Sequence, residues 1–190
     1  MVIKNSLKQS HDIIKNVVGK GDLVIDATAG NGNDTLMLAQ LVGDEGKVYS
    51  FDIQDQAISN TIKKLQENGL LNRVSVVKDG HQNMDKYVKD SVKAVMFNLG
   101  YLPGGDHNIA TKGETTIIAL KKAMELLMIG GIITIVIYYG GDSGFEEKDI
   151  LLDFLPTINS KQYTVMKTEF INQPNCPPIL VCIEKINVAN

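Results

Sequence analysis

Leu23-Val24-Ile25-Asp26-Ala27-Thr28-Ala29-Gly30-Asn31-Gly32-Asn33-Asp34-Thr35 is an apolar, β-branched run that stops on a carboxylate and passes into a glycine-bearing turn. It reads as strand, loop and helix start. Gly30 and Gly32 supply backbone that can take positive φ and let a ligand come close. The unpaired amides there and at the following helix N-terminus point at whatever lies above the strand end. Such a place binds a nucleotide or nucleoside; the alternative is the ordinary strand-to-helix turn of an α/β protein.

A dinucleotide fingerprint requires a third glycine where Thr35 stands, and no Gly-Lys-Ser/Thr follows to make a Walker loop. A carboxylate at the strand end would repel a pyrophosphate but suits a ligand that carries an ammonium group beside its nucleoside. S-adenosylmethionine is such a ligand. Asp26, Thr28, Gly30, Asn31, Gly32 and Asn33 are therefore the first segment of the expected cofactor site.

The second strand, 47–52, also closes on a carboxylate. Asp52 stands 20 positions after Gly32, where an acidic residue can accept both ribose hydroxyls of a nucleoside, and Gln54 is within reach of the ribose or base. A helix over 55–67 follows. A third strand, 73–78, leads into Asp79-Gly80-His81 and a short helix through residue 89. Asp79 there either accepts the exocyclic amine of adenine or caps the helix, and His81 either touches the ligand or lies on the surface.

The fourth strand, 92–97, ends in Asn98-Leu99-Gly100-Tyr101-Leu102-Pro103-Gly104-Gly105-Asp106-His107. Lying beside the first strand, it delivers this polar and aromatic loop to the reacting end of the ligand, across the switch point of the sheet. A helix over 113–128 and an apolar strand over 132–139 follow, buried on both faces. After a helix over 143–155, strands at 163–171 and 179–186 are joined by a segment too short for a helix, so this last pair is antiparallel. Five β/α units closed by a hairpin are the layout of a class I methyltransferase: a Rossmann-like α/β fold, its seven-stranded sheet mostly parallel, with helices on both faces.

The chain's 190 residues, 44% apolar, fit one domain. Residues 6–18 read as an amphipathic helix capped by Gly19, flanked by lysines that are a solvated face or touch a phosphate backbone; this helix is placed on the substrate side. No apolar run is long enough to span a membrane and no signal-peptide core is present, which gives a cytoplasmic protein without a membrane partner. Two cysteines and three scattered histidines form no metal pattern. A net charge of -3 leaves nucleic-acid binding to a local patch, with Lys4, Lys8, Lys15, Lys121 and Lys122 as candidates. The apolar edge hairpin leaves a homodimer open.

The segments 26–34, 51–54, 79–81 and 98–107 together resemble the bacterial rRNA methylase family, now counted among tRNA 5-(aminomethyl)-2-thiouridine methyltransferases. The similarity spans nearly the whole chain. It implies S-adenosylmethionine as cofactor and tRNA, at the anticodon region, as partner, with methylation of the aminomethyl nitrogen on the wobble uridine. Thr28 departs from the general methyltransferase pattern, in which glycine is common at that position. Asn98 resembles the asparagine of amino-methyltransferases with Asn-Pro-Pro-Tyr loops, where the side-chain oxygen and a backbone carbonyl accept from the target nitrogen and aim its lone pair; here Leu99-Gly100 replace the two prolines. Asp106 or His107 is placed to take the surplus proton. Tyr101, Tyr138 and Tyr139 either stack on a splayed-out base or pack, and Pro103 and Gly104 complete the expected substrate loop. The alternatives are methylation of rRNA or of a small amine or hydroxyl metabolite, and a non-catalytic nucleoside sensor.

Overall fold

The aliphatic run makes β1 (Leu23–Asp26), whose last three residues are buried. The turn after it hands the chain to α2 (Asn33–Val42), and the same alternation yields β2 (Lys47–Asp52), α3 (Asp55–Glu67) and β3 (Val74–Lys78). A 3-10 turn at His81–Asn83 and the short α4 (Met84–Tyr87) lead to β4 (Val92–Leu99). Then come α5 (Gly113–Leu126), β5 (Leu127–Ile137), α6 (Gly144–Phe154), β6 (Tyr163–Thr168) and β7 (Ile179–Lys185); α1 (Ser6–Val17) precedes them all. The computed structural model describes residues 2–100, 111–139 and 144–188.

The strand order is β3-β2-β1-β4-β5-β7-β6. β1 to β5 pair in parallel, and β7 runs antiparallel to both β5 and β6. The order in which strands join the sheet reverses between β1 and β4, so their carboxyl ends open a crevice. One face of the sheet packs Ala119, Leu120 and Ala123 of α5, Leu151 of α6 and Met84 of α4. The other packs Ile14 of α1, Leu38 and Val42 of α2 and Leu65 of α3. Helices thus cover both faces, as the sequence implied.

Three boundaries shift for physical reasons. β4 runs two residues further than expected, because Asn98 and Leu99 pair with Val136 and Ile137 of β5; Asn98 is held by the sheet rather than by a loop. β5 starts at Leu127 and not at 132, and a register shift lies between the pairs Val92–Leu127 and Ala94–Ile132. Gly130 within that shift has a φ of 70°, which suits glycine. α1 is capped at its C-terminus by Val18 rather than Gly19, and Asn5 caps its start by accepting from the Lys8 amide at 2.9 Å.

The inward stripe of α1 is Ser6, Ser10 and Ile14, spaced four apart. Ser10 bonds to Thr134 Oγ1 at 2.9 Å and Ser6 donates to the Pro178 carbonyl. These two hydroxyls fix the helix against β5 and β7. They turn Leu7 and His11 toward the crevice.

Candidate functional site

A cavity of about 560 Å³ occupies the crevice at the carboxyl ends of β1, β2, β3 and β4, within the roughly 300–1,000 Å³ usual for small-molecule sites. Of the residues expected at the cofactor, Thr28, Gly30, Asn31 and Asn33 line it from the first loop. Asp52, Gln54, Asp79, Gly80, His81 and Asn98 line it from the next three strand ends, and Tyr138 from the end of β5.

Asp52 is shaped by its neighbours' amides: Gly30 donates to Oδ2 and Gln54 to Oδ1, both at 2.9 Å. Each oxygen keeps further accepting capacity toward the cavity. Asp79 accepts from Gly80, Asn83 and Tyr87, and these bonds, Asn83's first, hold its carboxyl below the usual range. It organises the turn after β3 and lines the cavity as well. His81 is buried, not on the surface; burial pushes its pKa down, and its Nδ1–H donates to the Ala27 carbonyl at 3.1 Å. Its imidazole is neutral at pH 7, with Nε2 as an acceptor.

Thr28 explains its own departure from glycine. Its Oγ1 accepts from the Asn98 backbone amide at 2.7 Å and ties the first loop to the end of β4.

Two residues expected at the cofactor do not line the cavity. Gly32 takes a φ of 74° at the N-cap of α2, but a Cβ there would sit 2.9 Å from the backbone Cα of Thr61. The close approach it permits is that of α3. Asp26 is buried, accepting from Thr28 N at 3.1 Å and from Thr35 Oγ1 at 2.5 Å. Burial first, and the charge of Asp34 second, raise its carboxyl to about 7. A folded-state pKa above the unfolded value means stability falls as pH rises from about 4 to about 7. Asp26→Asn keeps an oxygen for Thr28 and an amide for Thr35. Measured by urea unfolding, wild type should lose stability relative to this variant by up to about 1.4 kcal/mol per pH unit between about pH 5 and about pH 7. A flat difference would show that Asp26 is not the titrating group.

Tyr139 does not line the cavity either: it packs on the core and edge-on to Phe145, with Lys148 Nζ 5.1 Å from its ring centroid. Tyr138 is 39% exposed and does line it. Burial, and after it the Asp34 charge, push its phenol pKa up. Tyr101, Pro103, Gly104, Asp106 and His107 lie outside the described residues. The two residues that flank them are joined: Gly100 N donates to Thr111 Oγ1 at 3.2 Å, and Thr111 N to the Gly100 carbonyl at 3.3 Å. Thr111 and Thr116 donate in turn to the buried Glu147 at 2.6 and 2.8 Å.

The structure adds Asp34 and His11 to the cavity wall. His11 Nε2 lies 2.7 Å from Asp34 Oδ1, and Asn98 Nδ2 donates to Asp34 Oδ2 at 3.3 Å. An acid in the first turn of a helix is a usual dipole partner, which hid Asp34 in the sequence. His11 was hidden by the phase of α1; the signal was the pair Ser6 and Ser10, small polar residues one turn apart. Among the described residues no group of histidine, cysteine and acidic side chains is arranged to hold a metal, and no helix is long and apolar enough to cross a membrane.

Residues 48–184 match the family described as "Putative rRNA methylase". A chloroplastic tRNA (mnm(5)s(2)U34)-methyltransferase of Arabidopsis thaliana is 37% identical, over 97% of this chain and 71% of its own length. The chain belongs to this family. Among solved structures, a "putative rRNA-methylase" from Clostridium thermocellum is 67% identical with a TM-score of 0.97, over 98% of this chain and 100% of the other. A "putative methyltransferase" from Streptococcus mutans, solved in complex with SAH, is 43% identical with a TM-score of 0.89, over 97% and 99%. As a member of the rRNA methylase family with the class I fold, the protein is an S-adenosylmethionine-dependent methyltransferase.

Proposed function

We propose that this methyltransferase acts on the aminomethyl nitrogen of 5-aminomethyl-2-thiouridine at the wobble position of tRNA. The observation that carries the reading is Asn98 Oδ1. It is buried, belongs to a residue that lines the cavity, and accepts no hydrogen bond among the described residues. A buried acceptor without a donor costs about 1–3 kcal/mol, and a substrate N–H supplies that donor. The name of the Arabidopsis relative points to the same class of acceptor.

The residues present fit the cofactor. Asp52 is the acceptor for the ribose hydroxyls, Gln54 borders it, and the Asp79–His81 turn flanks the place of the base. The backbone at Gly30 and Asn31 borders the middle of the ligand. Bound there, S-adenosylmethionine supplies a methyl group on an already activated sulfonium. The chain's own task is alignment. Asn98 takes one N–H of the acceptor and leaves its lone pair free, Tyr138 offers a ring to the splayed-out base, and Asp106 or His107 takes the proton that a protonated amine must lose before it can attack. α1, with Lys8 and Lys15 away from its buried stripe and Lys4 just before its cap, is the surface for the tRNA backbone.

The test is methyl transfer from labelled S-adenosylmethionine to total tRNA from a strain lacking the gene. Label is expected at the wobble uridine, and mass spectrometry of the nucleosides should show 5-methylaminomethyl-2-thiouridine only when the gene is present. Unlabelled tRNA together with a labelled small amine would instead establish the metabolite reading, which the net charge of -3 favours.

A further inference from the structure

Asn98 Oδ1 has a neighbour whose accepting capacity is also only partly met. The Asp34 carboxylate lines the same cavity, its side chain 7% exposed; its imidazole partner is His11, 23% exposed. The orientation of the Asn98 amide follows from this neighbour. Turned over, its oxygen would face the carboxylate, so Nδ2 points to Asp34 and Oδ1 is left for a ligand. The other acids on the wall are engaged differently: Asp52 by two backbone amides, Asp79 by its turn.

Two adjacent acceptors ask for two donors on one ligand atom. A neutral primary amine has two N–H groups and still keeps a lone pair for attack; a hydroxyl has a single O–H. As the nitrogen's lone pair forms the new N–C bond, the C–S bond breaks and its electron pair stays on sulfur. Positive charge moves from sulfur to nitrogen. A buried carboxylate fixed beside that nitrogen stabilises the charge where it develops, and more strongly than it would in water.

We propose that Asp34 is the residue that offsets the charge arising on the acceptor nitrogen, that it and Asn98 Oδ1 together select primary amines, and that His11 positions Asp34. The proposal rests on the methyl-transfer reading above but not on tRNA being the acceptor. His11 ties the N-terminal helix into the site, so α1 contributes to the chemistry as well as to any RNA surface.

The experiment follows the His11 ring resonances by NMR in the S-adenosylhomocysteine-bound protein, titrated with benzylamine and, separately, with benzyl alcohol. Benzylamine should shift them saturably and the alcohol should not. Asp34→Asn should weaken benzylamine by at least about tenfold, the loss of one charge-assisted hydrogen bond. The same variant should bind S-adenosylhomocysteine within about threefold of wild type. On an amine substrate it should raise KM by about the factor lost in benzylamine affinity and, beyond that, lower kcat by about a hundredfold, the part owed to the charge that develops on nitrogen. His11→Ala should lower kcat on the amine substrate by less, and His11→Gln, which keeps a donor, should partly restore it; this pair, read by kcat because the imidazole is gone, carries the comparison should Asp34→Asn not fold. Equal shifts with the alcohol, or unchanged benzylamine affinity in Asp34→Asn, would overturn the proposal. So would a variant that loses affinity for S-adenosylhomocysteine but not for methylthioadenosine, which lacks the methionine ammonium; Asp34 would then serve the cofactor's own amine. Failure of wild type to modify tRNA, with the benzylamine results as expected, would remove the tRNA assignment and leave this one standing.

Discussion

Asp52→Ala is expected to weaken S-adenosylhomocysteine binding by about a hundredfold or more, measured by calorimetry. The size follows from what the carboxylate does twice over. In the role proposed for it, it offers both oxygens to ribose hydroxyls, and hydrogen bonds to a charged group contribute about 1.5–3 kcal/mol each. Toward the protein it accepts from the Gly30 and Gln54 amides, so it also holds the first loop and the start of α3 in place. Alanine removes all of these at once. Asp52→Asn separates the two parts: one oxygen remains for one amide, while the new NH2 group faces the other amide as donor against donor. Its affinity should fall between wild type and alanine. Wild-type affinity in Asp52→Ala would place the nucleoside elsewhere.

The place of Asp52 on the cavity wall was readable in the sequence because it depends on position along the chain: the residue ends a strand, at a fixed distance from a glycine turn, and the parallel pairing of β1 with β2 sets the two side by side. The same holds for the fold. β2 and α3 begin and end where hydrophobic period and turn residues place them, and the short link before β7 dictates its antiparallel course. What the sequence hid depends on neighbours far away in the chain. Gly32 looks like a residue serving the ligand until Thr61 is seen against it. Asp26 looks like a charged contact for the cofactor, but the chain buries it under the loop, where Thr35 and Thr28 satisfy it. His11 and Asp34 belong to helices that no local pattern brings together; two serines on α1 decide the rotation that lets them meet.

Thr28 shows why such exceptions gather at the site. A glycine there would leave the Asn98 amide without its 2.7 Å acceptor, and the β1 loop would lose its tie to β4. The hydroxyl fixes the backbone of the residue proposed to meet the substrate. Asn98 is then held from three sides: its amide N–H by Thr28, its side-chain NH2 by Asp34, and its strand by β5. Its side-chain oxygen has no partner among the described residues, and the surrounding bonds determine where it points. Orientation fixed before the substrate arrives need not be acquired during the reaction.

That arrangement gives Asn98→Ala opposite effects on stability and on turnover. The backbone amide bond to Thr28 survives the substitution, so affinity for S-adenosylhomocysteine should stay within about threefold of wild type. The buried oxygen disappears together with its cost of about 1–3 kcal/mol, which offsets the lost packing and the 3.3 Å bond to Asp34. The denaturation midpoint should therefore change little or rise. Single-turnover methylation should nevertheless slow by about a hundredfold to a thousandfold, because the nitrogen is no longer aimed at the methyl group and thermal motion must find the geometry. Asn98→Asp tests the cause. It keeps the size and an acceptor but sets a second carboxylate against Asp34, and like charges at that range repel in a buried site; this variant should be less stable than alanine and no faster at neutral pH. A wild-type rate in Asn98→Ala would remove Asn98 from the mechanism, whereas a slow rate with a falling midpoint and lost cofactor affinity would make it a structural residue. Unchanged binding, undiminished stability and slow transfer together are the signature of a group kept unpaired for the substrate.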